Sequence, residues 1–423
     1  MACVKGNYNN CDPETMHLKY CIFHDPRKSS EQIREKFYLK LLEILKPKEV
    51  EKNGVRRFVF ESKVNCMGYV FPYHRKYEHF FKYSIFEGEA IFNEAKFENI
   101  AYFVGLDAQK VWFYNVNFEG EVNFDKSTFN GFVIFSKANF EDSVFFREVK
   151  FGGNVDFSDS SFKRKVYFNK TYFEGSTSFR DTKFEEKACF VRSEFHGHLY
   201  FSGAEFGDVV EFTDGGQGHS LFHGELDFSH AVFRKGVKID IPRKCFTSPK
   251  AAAEAFRVQR RCYEEEGKKE KADEIFVEER RAIREANLQN KKTNYSRIPW
   301  RKNTFIKKII SFFEWLLAIA GNIVEYILVD FTCKYGTSWK IPMLIWSLLV
   351  FIVFPILFKY FKAITQPNSF WKCLYFSVVT ATTVGYGNLQ PIGWGRIIAP
   401  VEAVIGTFFW AVFLVVISRK YMR

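Results

Sequence analysis

The feature of this sequence that most limits its fold is the regular recurrence of phenylalanine. The spacing alternates between six and five residues without a miss, with Phe at 118, 124, 129, 135, 140, 146, 151, 157, 162, 168, 173, 179, 184, 190, 195, 201, 206 and 212. An α-helix turns by about 100° per residue, so steps of five residues would scatter these side chains around its surface. A coil with four short faces and 22 residues per turn places every Phe directly above another. The spacing therefore excludes a helix and predicts a solenoid.

A second inward position is indicated by the residues that lie two places before each Phe. These residues are small or β-branched, and Val tends to occupy one alternate set while Ser, Thr or Ala occupies the other. The residues between the inward positions are mostly charged, Gly or Asn, which is typical of exposed corners. We therefore expect four faces that differ in the room they leave inside the coil.

This repeat resembles the pentapeptide-repeat family, in its Phe-centred variant with an eleven-residue double unit. The resemblance implies a right-handed quadrilateral β-helix. We place this domain at residues 56–245, with its most regular part at 86–240. The phase slips between Phe103 and Phe113, and again in the Gly-rich stretch 213–219, which predicts an exposed loop.

Helical segments are predicted on both sides of the repeats. Residues 1–55 form an N-terminal cap in which Phe37 and Leu41 belong to an amphipathic helix that begins behind Ser30. Residues 248–292 form a helical hairpin linker, with Ser248 as N-cap, Pro249 at the first helical position and a break at Gly267. This hairpin is expected to connect the last coil to the membrane segments.

The N-terminal cap also contains Cys3, Cys11, Cys21 and His24, which are four ligands of the kind that tetrahedral zinc accepts. A small zinc knuckle and four reduced, partly buried side chains are both consistent with this spacing. The chain has nine Cys, an odd number that does not suit a disulfide framework. The bulk of the protein is therefore expected in a reducing cytoplasm.

Two segments near the C-terminus are apolar and long enough to cross a bilayer, at residues 341–361 and 397–417. Residues 303–332 differ, because one helical face is apolar while the other carries Glu314 and Glu325. A carboxylate at the centre of a bilayer costs about 2.5 kcal/mol or more. The pattern therefore favours an interfacial helix along the cytoplasmic leaflet. A third span is the alternative, and it would place the N-terminal domain and the C-terminus on opposite sides of the membrane.

The formal charge of +12 is unevenly distributed along the chain. Residues 86–240 contain 17 Lys or Arg against 25 Asp or Glu, so the basic excess lies elsewhere and no nucleic-acid partner is expected. Much of the excess flanks the membrane segments, at Lys291, Lys292, Arg297, Arg301, Lys302, Lys307, Lys308, Arg419, Lys420 and Arg423. Both flanks are predicted to be cytoplasmic, which makes this a multi-pass protein of the cell membrane with its N-terminal domain and C-terminus inside.

Between the two spans lies a short apolar helix at residues 370–382, followed by Thr383-Val384-Gly385-Tyr386-Gly387. This segment resembles the pore helix and selectivity filter of the potassium-channel superfamily, over about residues 339–420. The resemblance implies that potassium is the permeant ion and binds at these five residues. The backbone carbonyls of Thr383, Val384, Gly385 and Tyr386 would supply the oxygens, together with the Thr383 hydroxyl. One chain supplies a quarter of each oxygen ring, so a homotetramer is expected.

Two positions depart from the common pattern of that superfamily. Asn388 stands where many relatives have an aspartate, and Val379 stands where some have a glutamate. Gly406 lies where inner helices of relatives often bend, although a Gly there equally suits close helix packing. Glu402 is expected to face the back of the filter or a water-filled crevice rather than lipid.

The predicted fold is multidomain, with the β-helix and helical linker followed by a two-span α-helical pore domain at residues 339–423. The leading hypothesis is a potassium-selective channel whose cytoplasmic solenoid gates or scaffolds the pore. The alternative is a membrane-anchored docking protein with a secondary or silent pore. The sequence shows no carboxylate pair, nucleophile with a base, or phosphate loop at meaningful spacing, so no enzyme activity is expected, and it indicates no regulatory ligand.

Overall fold

The computed structural model describes residues 3–52, 54–214, 218–239, 241–298, 305–365, 367, 369–385 and 388–421. The chain divides into two compact units, Met1–Ile283 and Arg284–Arg423. Tyr386 and Gly387 of the predicted filter, and Asp240 at the end of the regular repeat, lie outside the described residues.

The first unit is a solenoid of parallel strands. In its regular middle part each residue pairs with the residue 22 positions further on, as in Asn117 with Asn139 and Phe118 with Phe140. The offset is 21 or 26 residues in the earlier coils and 27 residues across the stretch 213–219, as in Phe97 with Phe118, Val70 with Lys96 and Phe206 with Phe233. The coil begins with strands Val55–Phe60, Val64–Asn65, Ile85–Ile91 and Asp107–Trp112, of which the last two contribute to two faces. An antiparallel strand, Lys48–Lys52, pairs with the first of these and was not predicted.

The four faces of the coil are built from two-residue strands. One face contains Thr128–Phe129, Lys150–Phe151, Tyr172–Phe173, Glu194–Phe195 and Leu221–Phe222. The next contains Val133–Ile134, Val155–Asp156, Thr177–Ser178, Leu199–Tyr200 and Leu226–Asp227. The third contains Val70–Phe71, Lys96–Phe97, Asn117–Phe118, Asn139–Phe140, Ser161–Phe162, Lys183–Phe184, Glu205–Phe206 and Val232–Phe233. The fourth contains Ala101–Tyr102, Val122–Asn123, Val144–Phe145, Val166–Tyr167, Ala188–Cys189, Val210–Glu211 and Val237–Lys238.

The Phe side chains form four stacked ladders inside the coil. The ring centroids of Phe140 and Phe162 are 4.7 Å apart with planes within 3°, and those of Phe146 and Phe168 are 4.8 Å apart with planes within 1°. Rings on adjacent ladders meet edge to face, as Phe135 and Phe146 do at 5.7 Å. This geometry confirms the predicted 22-residue coil and fills its interior with aromatic contacts.

The two alternate sets of inward residues differ because the corners before them differ. Every second corner has a left-handed residue, as at Lys126 with φ 59° and Lys170 with φ 57°, and these residues recur at eleven-residue intervals. The residue after such a corner turns inward, and where it is Ser or Thr its hydroxyl donates to a backbone carbonyl. Ser127 Oγ donates to Phe103 O at 2.7 Å, and Thr182 Oγ1 to Phe157 O at 2.8 Å. Hydroxyl-bearing residues therefore suit this set, because they satisfy buried carbonyls.

Helices close both ends of the solenoid. Helix α1, Glu31–Leu45, begins at Ser30, whose side chain accepts a hydrogen bond from Ile33 N, and its Phe37 packs edge to face on Phe71. At the other end Phe246 stacks on Phe222, and Phe256 of helix α2, Pro249–Glu265, packs against Phe246. Solenoids need such caps because the terminal coils would otherwise expose apolar surface.

Helix α3, Lys269–Arg297, follows the break around Gly267 and continues five residues beyond the predicted end of the hairpin at residue 292. Its buried Glu279 accepts a hydrogen bond from Arg260 Nε of α2 at 2.7 Å. Short 3-10 helices lie at Gly6–Tyr8, Arg75–Tyr77, Arg243–Cys245 and Lys334–Gly336.

The second unit is helical. Helix α4, Phe305–Glu325, continues as a π-helical turn at Tyr326–Phe331; helix α5, Lys340–Leu348, passes through a second π-helical turn at Leu349–Val353 into α6, Phe354–Tyr360. Helix α7 is Phe370–Thr382 and helix α8 is Gly395–Tyr421. Among the described residues, the stretches Ile306–Phe331, Lys340–Tyr360 and Gly395–Ser418 are long and apolar enough to cross a membrane.

Candidate functional site

The short helix α7 lies in the second unit, where it packs on α6 and α8. Ser369 caps its start by accepting a hydrogen bond from Trp371 N at 3.3 Å. The buried face of α7 includes Cys373, Phe376 and Ala381, and Phe376 meets Phe358 of α6 edge to face at 5.0 Å. The helix is therefore held on one side by the two neighbouring membrane-length segments.

The chain leaves α7 at Thr383, which adopts a left-handed conformation with φ 57° and ψ 26°. Gly385 has φ 112°, a backbone conformation that residues with a Cβ atom rarely adopt. Thr383, Val384 and Gly385 are exposed, and residue Val384 is 80% exposed within its own chain. The carboxyl end of α7, where the helix dipole is negative, is directed along the chain toward this exposed segment.

Behind α7, the carboxyl group of Glu402 on α8 is fully buried and contacts the Ser377 hydroxyl of α7. Ser377 Oγ also lies 2.7 Å from Val350 O in the π-helical turn between α5 and α6. Glu402 thus faces α7, in agreement with the expectation that it avoids lipid. The sequence did not identify Ser377 and Val350 as its partners; a Ser within an apolar helix was the available signal.

Gly406 lies one turn further along α8 and touches the end of α7. A Cβ atom at Gly406 would lie 2.7 Å from Ala381 O and 3.0 Å from Ala381 Cα. Both neighbours are backbone atoms, so the two helices approach closely only because residue 406 lacks a side chain. Of the two interpretations offered by the sequence, the described geometry favours close packing.

The polar face of α4 packs against α3 within the second unit. Lys308 lies 4.0 Å from the centre of the Tyr295 ring, and Glu314 pairs with Lys291 at 3.1 Å. At the far end, buried Asp330 pairs with Arg284 at 3.2 Å. Arg284 also donates to the hydroxyl of Tyr335, where burial raises the pKa of that phenol to about 12. None of these pairings was predicted from the sequence, because they join residues far apart in the chain.

The opposite face of α4 is apolar and exposed. Its uncovered side chains are Ile306, Ile310, Phe313, Leu316, Leu317, Ile323 and Val324. A contiguous apolar face of this size on one helix is typical of contact with lipid or with another protein.

The four predicted metal ligands of the N-terminal cap come together in the first unit. The Sγ atoms of Cys3, Cys11 and Cys21 and a ring nitrogen of His24 all lie within 4.8 Å of one another. These residues belong to the irregular segment that precedes α1. The structure therefore joins all four residues that the sequence singled out.

In the part of the chain that the structure describes, the solenoid is followed by three helices that are long and apolar enough to cross a membrane, an arrangement typical of a membrane protein. Residues 339–423 match the family described as ion channel. Residues 81–128, 113–161 and 124–171 match the family described as pentapeptide repeats (9 copies). No solved structure matches the chain. The chain thus carries a pentapeptide-repeat solenoid and an ion channel domain, and neither description is that of an enzyme family.

Proposed function

We propose that this protein is the subunit of a potassium-selective channel, and that four copies surround one pore. The observation that carries the proposal is the motif that begins at Thr383, because it follows the carboxyl end of α7 and is exposed within its own chain. Exposed apolar Val384 would be covered by neighbouring subunits in a tetramer. Four equivalent chains close a ring around the axis.

Potassium would bind to backbone oxygens of this segment. A dehydrated potassium ion needs about eight oxygens, which successive carbonyl rings supply. Thr383, Val384 and Gly385 would contribute to these rings, together with Tyr386 and Gly387. The negative end of the α7 dipole favours a cation at this place.

The selectivity prediction is tested with full-length protein in liposomes. We expect potassium to permeate and sodium to be excluded. Gly385→Ala is expected to reduce potassium flux about tenfold or more, because φ of 112° strains a residue with a Cβ. Gly393→Ala is the matched control, since Gly393 also has positive φ and open space around it but lies outside the motif. Equal permeation of sodium and potassium would contradict the proposal.

The same preparation addresses the role of the solenoid, which we propose gates or scaffolds the pore. A chain that lacks residues 1–240 should show an altered open probability if the solenoid gates. An unchanged open probability would assign it to scaffolding. Absence of flux from the intact, correctly inserted tetramer would favour the alternative of a docking protein with a silent pore.

We also infer that α4 lies along the cytoplasmic leaflet and does not cross the bilayer. Its support is the charged helix α3, which contacts α4 near its start through Tyr295, in its middle through Lys291 and at its end through Arg284. If α4 crossed the membrane, the charged side chains of α3 beside it would lie at hydrocarbon depth. Burial there costs about 2.5–3.5 kcal/mol for each charged residue near the centre of the bilayer. An interfacial position leaves α3 in water and the apolar face of α4 in lipid.

The membrane topology of the two chain ends separates these arrangements. Two spans place both ends on the same side, whereas three spans place them on opposite sides. With an epitope tag at either end, protease treatment of sealed vesicles of known orientation should show both tags on the cytoplasmic side. Protection of one tag and cleavage of the other would establish a third span.

A further inference from the structure

The N-terminal metal-ligand cluster, Cys3, Cys11, Cys21 and His24, lies in a part of the fold with little regular structure. Among the described residues 3–29, the regular secondary structure is the three-residue helix Gly6–Tyr8. Cys3, Cys21 and His24 are nonetheless buried, and Cys11 is partly buried. A segment with so few backbone ladders needs another source of order to bury these polar groups.

The distances around His24 suit a tetrahedral ion. His24 Nδ1 lies 3.7 Å from Cys3 Sγ, 3.6 Å from Cys11 Sγ and 2.9 Å from Cys21 Sγ. In tetrahedral zinc, bonds of about 2.3 Å to sulfur and about 2.0–2.1 Å to nitrogen separate the two ligand atoms by about 3.6 Å. Two of the three separations already have this value, and the third, from Cys21 Sγ, is shorter.

The other ring nitrogen of His24 is held by the first coil of the solenoid. His24 Nε2 lies 3.2 Å from Met67 O, so Nε2–H donates to that carbonyl and the Nδ1 lone pair faces the thiols. Such a contact is the usual means by which a protein orients a metal-binding imidazole. The coil backbone reaches this place beside Gly68, where a Cβ atom would lie 2.6 Å from a ring carbon of Tyr8.

Hydrogen bonding among reduced side chains accounts for only part of this arrangement. A neutral His24 that donates through Nε2 has a single lone pair at Nδ1, which accepts from one thiol. The other two sulfur atoms would remain crowded around the same nitrogen without a hydrogen bond to it. A cation at the centre uses all four donor atoms together. Three thiolates and one imidazole form a soft, closed set that favours zinc in a structural site.

We propose that Cys3, Cys11, Cys21 and His24 bind one Zn²⁺ per chain, and that the ion fastens the N-terminal segment to the first coil. The N-terminal segment is held to the first coil by the contact of His24 with Met67 and by further contacts nearby. Asn10 Nδ2 donates to Met67 O at 2.9 Å, and Phe23 stacks on Tyr69 at 4.5 Å. The site is separate from ion conduction and does not depend on the proposed selectivity.

The test is the metal content of the full-length protein, purified without chelators and measured by elemental mass spectrometry. We expect one zinc per chain in the unaltered protein and a loss of about tenfold or more in Cys21→Ser and His24→Asn. His17→Asn and Cys66→Ser are the controls and should keep their zinc. Exposed His17 lies in the same segment, and buried Cys66 lies in the same core outside the cluster.

A second measurement on the unaltered chain keeps the result independent of misfolded variants. Replacement of zinc by Co²⁺ should give the absorption of thiolate-to-cobalt charge transfer and of tetrahedral cobalt. Removal of the metal should also make residues 3–29 sensitive to protease while the solenoid stays resistant. A metal-free protein that gives no thiolate–cobalt absorption, a disulfide among these cysteines in protein kept under reducing conditions, or unchanged protease resistance after metal removal would overturn the proposal.

Discussion

Phe146→Ala is expected to lower the free energy of unfolding of the solenoid by about 3–5 kcal/mol. The Phe146 side chain is fully buried, with its ring centroid 5.0 Å from that of Phe124 and 4.8 Å from that of Phe168. It also meets Phe135 and Phe157 edge to face, at 5.7 and 5.6 Å. Its removal leaves a cavity and interrupts one ladder in the middle of the coil. Because each coil contacts mainly its neighbours, contacts elsewhere in the solenoid cannot compensate for the packing that is lost around residue 146.

The adjacent residue provides the control for this substitution. Phe145 points outward, is only half-buried and stacks on Tyr167 at 5.3 Å, so Phe145→Ala should cost about 1 kcal/mol. The measurement is the urea midpoint of the β-sheet circular dichroism signal of the full-length protein in detergent. Equal shifts for the two variants would contradict the inward stacking that distinguishes them.

Gly406→Ala is expected to reduce potassium flux severely and to lower the thermal stability of the pore domain. The new methyl group would press on the backbone of Ala381, two residues before Thr383. Overpacking of this kind costs about 1–3 kcal/mol, and here the strain passes directly into the exposed motif. Flux in liposomes and the melting temperature of the full-length protein in detergent are the two measurements.

The melting temperature of Gly406→Ala distinguishes a packing role of Gly406 from a role as a hinge. If Gly406 served only as a hinge, alanine would stiffen α8 and leave the melting temperature unchanged or higher, because Ala is favoured over Gly in helices by about 1 kcal/mol. Close packing instead predicts a lower melting temperature together with lost flux. Gly321→Ala in α4 is the matched control, since no atom lies within 4 Å of its added Cβ and normal flux is expected.

The N-terminal cluster shows where prediction from the sequence stopped. Residue types and spacing were enough to nominate Cys3, Cys11, Cys21 and His24 as ligands. Their convergence depends on the segment folding against Met67, which lies 43 residues beyond His24 and belongs to the first coil. No local pattern reports a contact of that kind, so the sequence left the metal and the metal-free alternatives open.

The left-handed backbone conformation at the corners of the coil could not be predicted from the sequence for a different reason. Left-handed conformations are usually signalled by Gly or Asn, yet here they fall on residues such as Lys126 and Glu148. The stacking of successive coils imposes this backbone conformation against local preference. The same long-range constraint created the Ser377–Glu402 and Arg284–Asp330 contacts, whose partners are separated by 25 and 46 positions.

The sequence by itself determined the 22-residue coil, the membrane-length segments and the position of the channel-like motif. These features are periodic or contiguous in the chain, and burial of a Phe at every fifth or sixth residue permits few other folds. Only the tertiary structure decided which buried groups meet, namely the three thiols around His24, the carboxyl of Glu402 against α7, and Gly406 against Ala381. Such contacts depend on how segments that are distant in the sequence come together in the fold. A local sequence pattern does not report which distant segments will meet.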